Sequence, residues 1–114
     1  MIRIKLKMSR QEMQVMAKSV LAAGRAIEIA GIDSLLAANT LDGLFIRMYQ
    51  AFAPGRDAFT FRLSLTEAAV LNRFVLPAMQ EGDPLEFAVA VGIKDFIDRK
   101  IDTEVSMYNS MKAK

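Results

Sequence analysis

The chain has neither cysteine nor histidine among its 114 residues. Without cysteine there is no disulfide, no thiolate metal site and no thiol nucleophile. Without histidine the usual imidazole base and the commonest transition-metal ligand are gone. A metal site would need oxygen ligands alone, and a catalytic base would have to be Asp, Glu, Lys or Tyr. Long apolar runs are missing too. Ser34 to Leu41 is among the longest uncharged stretches, well short of the roughly 18 residues of a membrane span. The first residues do not read as a signal peptide, because Arg3, Lys5 and Lys7 alternate with apolar residues where an unbroken apolar stretch belongs. The expected location is cytoplasmic, which the lack of cysteine fits. There is no glycine-rich phosphate loop, no nucleophile elbow and no triad containing histidine. Accordingly no catalytic residue, metal ligand or cofactor is expected.

What is present is apolar and unevenly charged. The length points to one domain over residues 1–114 with a single modest core. An apolar fraction of 53% is more surface than so small a globule hides, so part of it is expected to be covered by a second copy in a homodimer. Residues 1–28 carry six Lys/Arg against two Glu, a net of +4, and residues 81–104 carry seven acids against three bases, a net of −4. Complementary ends pair within a fold or between subunits, unlike a uniformly basic nucleic-acid-binding chain.

Period-two alternation marks two strands. In the first, Ile2, Ile4, Leu6 and Met8 face one way and Arg3, Lys5 and Lys7 the other; in the second, Phe59, Phe61, Leu63 and Leu65 alternate with Thr60, Arg62 and Ser64. Ser9 followed by Glu12 forms a capping box, and Met13, Met16, Ala17, Val20, Gly24 and Ile27 recur at helical spacing. Gly24 inside that helix implies a close helix crossing, and Gly31 reads as its stop. Asp33 is expected to cap a second helix with Leu36, Leu41, Leu44, Phe45, Met48, Tyr49 and Phe52 inward, interrupted at Asn39 to Gly43. After the break at residues 53–57, Thr66 is expected to cap a third helix burying Ala69, Val70 and Phe74, with Leu71 and Met79, until Pro77 kinks or ends it. Asp83-Pro84-Leu85-Glu86 opens a last helix carrying Leu85, Ala88, Val89, Phe96, Ile97 and Ile101 as far as Tyr108, with a frayed tail at 109–114.

The order strand, helix, helix occurs twice. At an offset of 57 residues, Ile2/Phe59, Ile4/Phe61, Leu6/Leu63, Met8/Leu65, Ser9/Thr66 and Met13/Val70 correspond. The expected fold is therefore α+β and predominantly helical. It comprises two pseudo-repeated strand–helix–helix units, residues 1–53 and 58–108, joined by a turn at 54–57. Their short two-stranded sheet, of undetermined direction, is covered by helices on one face.

Four features could carry function. Paired strands would gather Arg3, Lys5, Lys7 and Arg62 on the uncovered face, an anion or nucleic-acid surface; the same charges also keep an open sheet soluble and guard its edges. Phe87, Ala88, Val91, Gly92, Ile93 and Ile101 fall where a helix-turn-helix wants apolar, small, apolar, turn, apolar and apolar residues, and this stretch of about 20 residues resembles that motif of transcription regulators. It departs at Asp98, which stands where the recognition helix buries an apolar side chain, and Asp95, Asp98 and Asp102 would repel phosphate. The competing reading is one continuous helix. Those three acids share a helix face and could meet a hard cation, but Lys94/Asp98 and Asp95/Arg99 are spaced for surface ion pairs. Met8, Met13, Met16, Met48 and Met79 read as core filling.

These readings point first to a non-enzymatic, self-associating interaction or adaptor module, a homodimer with an unidentified protein partner and no membrane contact. Nucleic-acid binding or transcription regulation through the basic strand face comes second, not favoured on the small number of cations. A small enzyme or ligand-binder with an inter-helix pocket comes third.

Overall fold

The computed structural model describes residues 3–52 and 54–113. Ile2, read as the first inward residue, and Ala53 and Lys114 lie outside them. The chain runs β1 (Arg3–Ser9), α1 (Arg10–Ala26), α2 (Ile32–Ala51), β2 (Ala58–Ser64), α3 (Leu65–Val70), a π-helical turn (Leu71–Val75), α4 (Leu76–Gln80) and α5 (Pro84–Lys112). The fold is α+β and mostly helical, with a short two-stranded antiparallel sheet. Among the described residues no helix is long and apolar enough to cross a membrane.

The strands pair with Arg3 opposite Ser64, Lys5 opposite Arg62 and Lys7 opposite Thr60. Alternation sends Ile4, Leu6, Met8, Phe59, Phe61 and Leu63 to the other face, where all six are buried against the helices. Met13, Met16 and Val20 of α1, Leu41, Leu44 and Met48 of α2, Leu71 and Val75 of the π turn, and Ile97 of α5 complete one core. The five methionines read as filling are all buried.

Each strand feeds directly into a helix through the same device. Ser9 Oγ accepts from the Glu12 amide at 3.1 Å while Glu12 Oε1 accepts from the Ser9 amide at 2.9 Å. Ser64 and Glu67 repeat this at 3.1 and 2.8 Å. Ser64, not Thr66, is therefore the second cap. Leu65 is not the last inward strand residue; it opens α3 and is half exposed. The earlier start turns the helix, so Ala68 is buried and Ala69 exposed.

The cap at Ser64 removes the expected 57-residue correspondence; it is positions 55 residues apart that hold equivalent places in the strands and caps. The strands, the caps and the buried pairs Ile4/Phe59, Leu6/Phe61, Met8/Leu63, Met13/Ala68, Met16/Leu71 and Val20/Val75 match in this register. α1 is one uninterrupted helix, whereas the helical run after β2 contains the π turn.

Pro77 neither ends nor sharply breaks the helical run that follows β2. The Leu76 amide reaches back to the Leu71 carbonyl, five residues away. Widening the turn before Pro77 moves the preceding carbonyls off the proline ring, and the backbone remains helical to Gln80.

Other boundaries also differ from the sequence reading. α1 ends at Ala26, and Gly31 is the residue that precedes α2 rather than the stop of α1. Ser34 secures that start, its hydroxyl accepting from the amides of Ala30 and Gly31 at 2.8 and 3.1 Å. Asp33 lies in the first turn of α2 and is not its cap. α2 passes unbroken through Asn39 to Gly43, because buried Leu41 and Leu44 hold the helix while Asn39, Asp42 and Gly43 sit outside. Leu36 and Tyr49, expected inward, are exposed. The turn at Pro54–Gly55 uses a left-handed glycine, with φ +78 at Gly55. Asp83 caps α5, accepting from the Glu86 amide at 2.8 Å. α5 then runs through Gly92 without a turn, which removes the helix-turn-helix reading, and continues past Tyr108 to Lys112.

Two substitutions test these assignments by chemical denaturation. Ser64→Ala should cost about 1 kcal/mol, whereas Thr66→Ala should change stability by less than about 0.5 kcal/mol. Gly24 faces α2 with room for a methyl, whose nearest neighbours would be Leu41 Cβ at 3.6 Å and Asp42 Oδ1 at 3.7 Å. Gly24→Ala should therefore stabilise the protein by about 0.5–1 kcal/mol.

Candidate functional site

The uncovered face of the ribbon carries Arg3, Lys5 and Lys7 from β1 and Thr60, Arg62 and Ser64 from β2. All four basic residues singled out in the sequence are thus brought to one surface, and all four are exposed. The register sets Lys5 directly across from Arg62. Like charges in that position oppose strand pairing. Among the described residues no carboxylate forms an ion pair with any of the four; the ion pairs there are Arg47–Glu67, Lys94–Asp98 and Arg99–Asp95.

Acidic groups do border the face. Glu12 shares a groove beside β1 with Arg3, Lys5, Lys7 and Lys100, but one of its oxygens is held by the Ser9 amide. Asp57 borders the Ser9–Ala58 end, in a cleft with Lys7 and Thr60. Two further cations anchor that end. The Arg10 amide donates to the Asp57 carbonyl at 2.9 Å and the Arg10 guanidinium to the Arg56 carbonyl at 3.1 Å. Arg10 lies over the Phe52 ring and Arg56 over Phe59. Neither these nor Lys100 was singled out in the sequence. The adjacency of Arg10 to the Ser9 cap is the signal that could have found it; Lys100 is too distant in sequence for any local pattern to reveal.

A fourth unanticipated residue fixes the ribbon from beneath. Arg47 of α2 pairs with Glu67, donates to the Arg62 carbonyl and lies over the Phe61 ring with its guanidinium 4.7 Å from the centroid. One side chain thereby ties α2 to β2 and α3. Partial burial raises the Glu67 pKa, but the Ser64 amide, the Arg47 guanidinium and the Ser64 hydroxyl outweigh it and hold the carboxyl below its ordinary value.

The acidic face of α5 is occupied by ion pairs, with Lys94–Asp98 at 2.9 Å and Asp95–Arg99 at 2.8 Å. Asn72 adds a weak 3.4 Å donation to Asp98. Among the described residues no group of three acidic side chains is placed to hold a metal ion. A cleft of about 540 Å³ lies between the end of α1 and the α4 region, bordered by Ser19, Ile27, Glu28, Phe74, Met79 and Glu86. Two carboxylates and the hydroxyls of Ser19 and Ser34 on mostly apolar walls supply no activated nucleophile. Compared with protein-family models, curated proteins and solved structures, the chain matches none of them.

Because the folded-state pKa of Glu67 is depressed, its contribution to stability is complete at neutral pH. It is lost as pH falls below the unfolded glutamate pKa of about 4.3 and through the lower folded value. Glu67→Gln should therefore destabilise the protein at pH 7 and flatten the acid limb of its stability curve. Denaturant midpoints measured between pH 7 and pH 3 check this; parallel curves for both proteins would remove Glu67 from the account.

Proposed function

We propose that the chain binds double-stranded DNA by presenting the β1–β2 ribbon to the major groove. The observation that carries this reading is the Lys5–Arg62 juxtaposition within a face of unneutralised cations. Folding alone disfavours that pairing. Edge protection is served by any charge, so it does not account for like charges directly opposed on both strands.

Geometry supports the duplex as the ligand. Two strands about 4.8 Å apart make a ribbon that fits a groove about 12 Å wide. The outer positions Arg3, Lys5, Lys7, Thr60, Arg62 and Ser64 include no aromatic side chain, so the face lacks the stacking platforms of single-strand binders. The deep, narrow major groove of duplex RNA would not admit the ribbon. In this reading Arg3, Lys5, Lys7 and Arg62 contact phosphates or guanine edges, and Thr60 and Ser64 supply neutral hydrogen bonds. The two halves are copies of one strand–helix–helix unit in the 55-residue register, each contributing one strand. Action is non-enzymatic. Self-association, expected from the composition, is a second property with its own surface on α5.

Gel shift and fluorescence anisotropy with a short DNA duplex test the proposal. If four phosphates are neutralised, log K should fall with log salt at a slope of about −3 to −4. Lys5→Glu and Arg62→Glu should each weaken binding about tenfold or more and lower that slope, because each removes a cation and adds a repulsive charge. An absence of binding at low salt, or wild-type affinity in both variants, would sink the idea.

A further inference from the structure

The stripe that seats α5 on the core does not stop where the core stops. Ile97 is fully buried and Ile101 half-buried. At the same three- and four-residue spacing follow Glu104, Val105, Tyr108 and Met111. Beyond Ile101 the body of the protein no longer covers this side: Val105 is 51% exposed, Tyr108 61% and Met111 73%. Asp102, Thr103, Ser106 and Ser110 occupy the opposite, polar side of the helix, and Asn109 and Met107 border the apolar stripe. Residues 101–112 are thus three turns of amphipathic helix with an open apolar face. Leu65, at the Arg3–Ser64 end of the ribbon, borders the same groove. A helix segment this short is marginal on its own in water and gains its stability from a covered face.

We propose that the occupant is the same segment of a second copy, packed antiparallel about Tyr108. Charge placement selects both the partner and the direction. Glu104 is the one acid on the apolar stripe, and Lys112 follows two turns later on the same side, its ammonium 4.8 Å from the Tyr108 ring centre. Antiparallel pairing about Tyr108 sets Glu104 of each copy beside Lys112 of the other, Val105 beside Met111, and the two tyrosines against each other. Parallel pairing would oppose Glu104 to Glu104 and Lys112 to Lys112. A two-fold interface needs one patch complementary to itself, and this stripe meets that condition. The outer face of α2 does not, since Asn39, Asp42 and Gly43 separate its exposed apolar residues.

Sedimentation equilibrium of the full chain provides the test. At micromolar concentrations the wild-type mass should approach twice the 12.7 kDa of one chain. Tyr108→Glu should return it to one chain without altering the circular dichroism of the folded body. Glu104→Lys and Lys112→Glu should each weaken the dimer about tenfold or more, and the double exchange should restore it, as expected of a directional charge pair. A chain that stays monomeric up to about 100 µM, a dimer that survives Tyr108→Glu, or a double exchange that fails to restore association would overturn the proposal.

Discussion

A sheet of two strands has one face it can bury and no strand with neighbours on both sides. Everything else in this molecule follows from how that single face is covered. Ile4, Leu6 and Met8 lie against Leu63, Phe61 and Phe59, and helices from both halves of the chain press on the layer they form. Because each strand passes straight into a helix through a Ser–Glu box, the strand direction also fixes where the first and third helices start. The face left over has no helix to meet, and its chemistry is free to serve something other than folding.

The underside is held in place by more than hydrophobic burial. Arg47 joins an ion pair, a carbonyl bond and a ring contact in one side chain, and so links α2 to β2 and to the second capping box. Glu67 serves the box and the ion pair at once. The charge separation along the sequence takes part in none of this. The basic N-terminal strand forms no ion pair among the described residues, while Asp95 and Asp98 of the acidic stretch pair within α5 itself.

Much of this architecture could be read from pattern, for physical reasons. Strand alternation has a period of exact two, so the shared face of Arg3, Lys5, Lys7 and Arg62 followed once the strands were assumed to meet. Capping at Ser9 and Asp83 is local chemistry and was legible. The second cap was misread because Leu65 prolongs the alternation and Thr66 stands beside Glu67, whereas the spacing Ser64-x-x-Glu67 repeats that of Ser9 and Glu12. Asn39 to Gly43 carry turn residues, but buried neighbours overrode local preference. The π turn depends on how Pro77 is accommodated, and the role of Arg47 on partners 15 and 20 residues away. Neither is written in any short window. The length of α5 was understated because its final turns lack a covering neighbour within the chain, although their apolar spacing was already there.

Joining both strands in one polypeptide has a consequence for what the open face can represent. A ribbon assembled from two identical chains is bound to a two-fold axis, and its outer face reads the same in both directions. Here three cations stand on β1 and one on β2, with hydroxyls opposite Arg3 and Lys7. The buried faces of both strands are apolar, as packing requires, while the outer faces differ from each other. Such a surface has a polarity of its own, and anything matched to it would be matched in one orientation, without the palindromy that a symmetric pair of strands imposes.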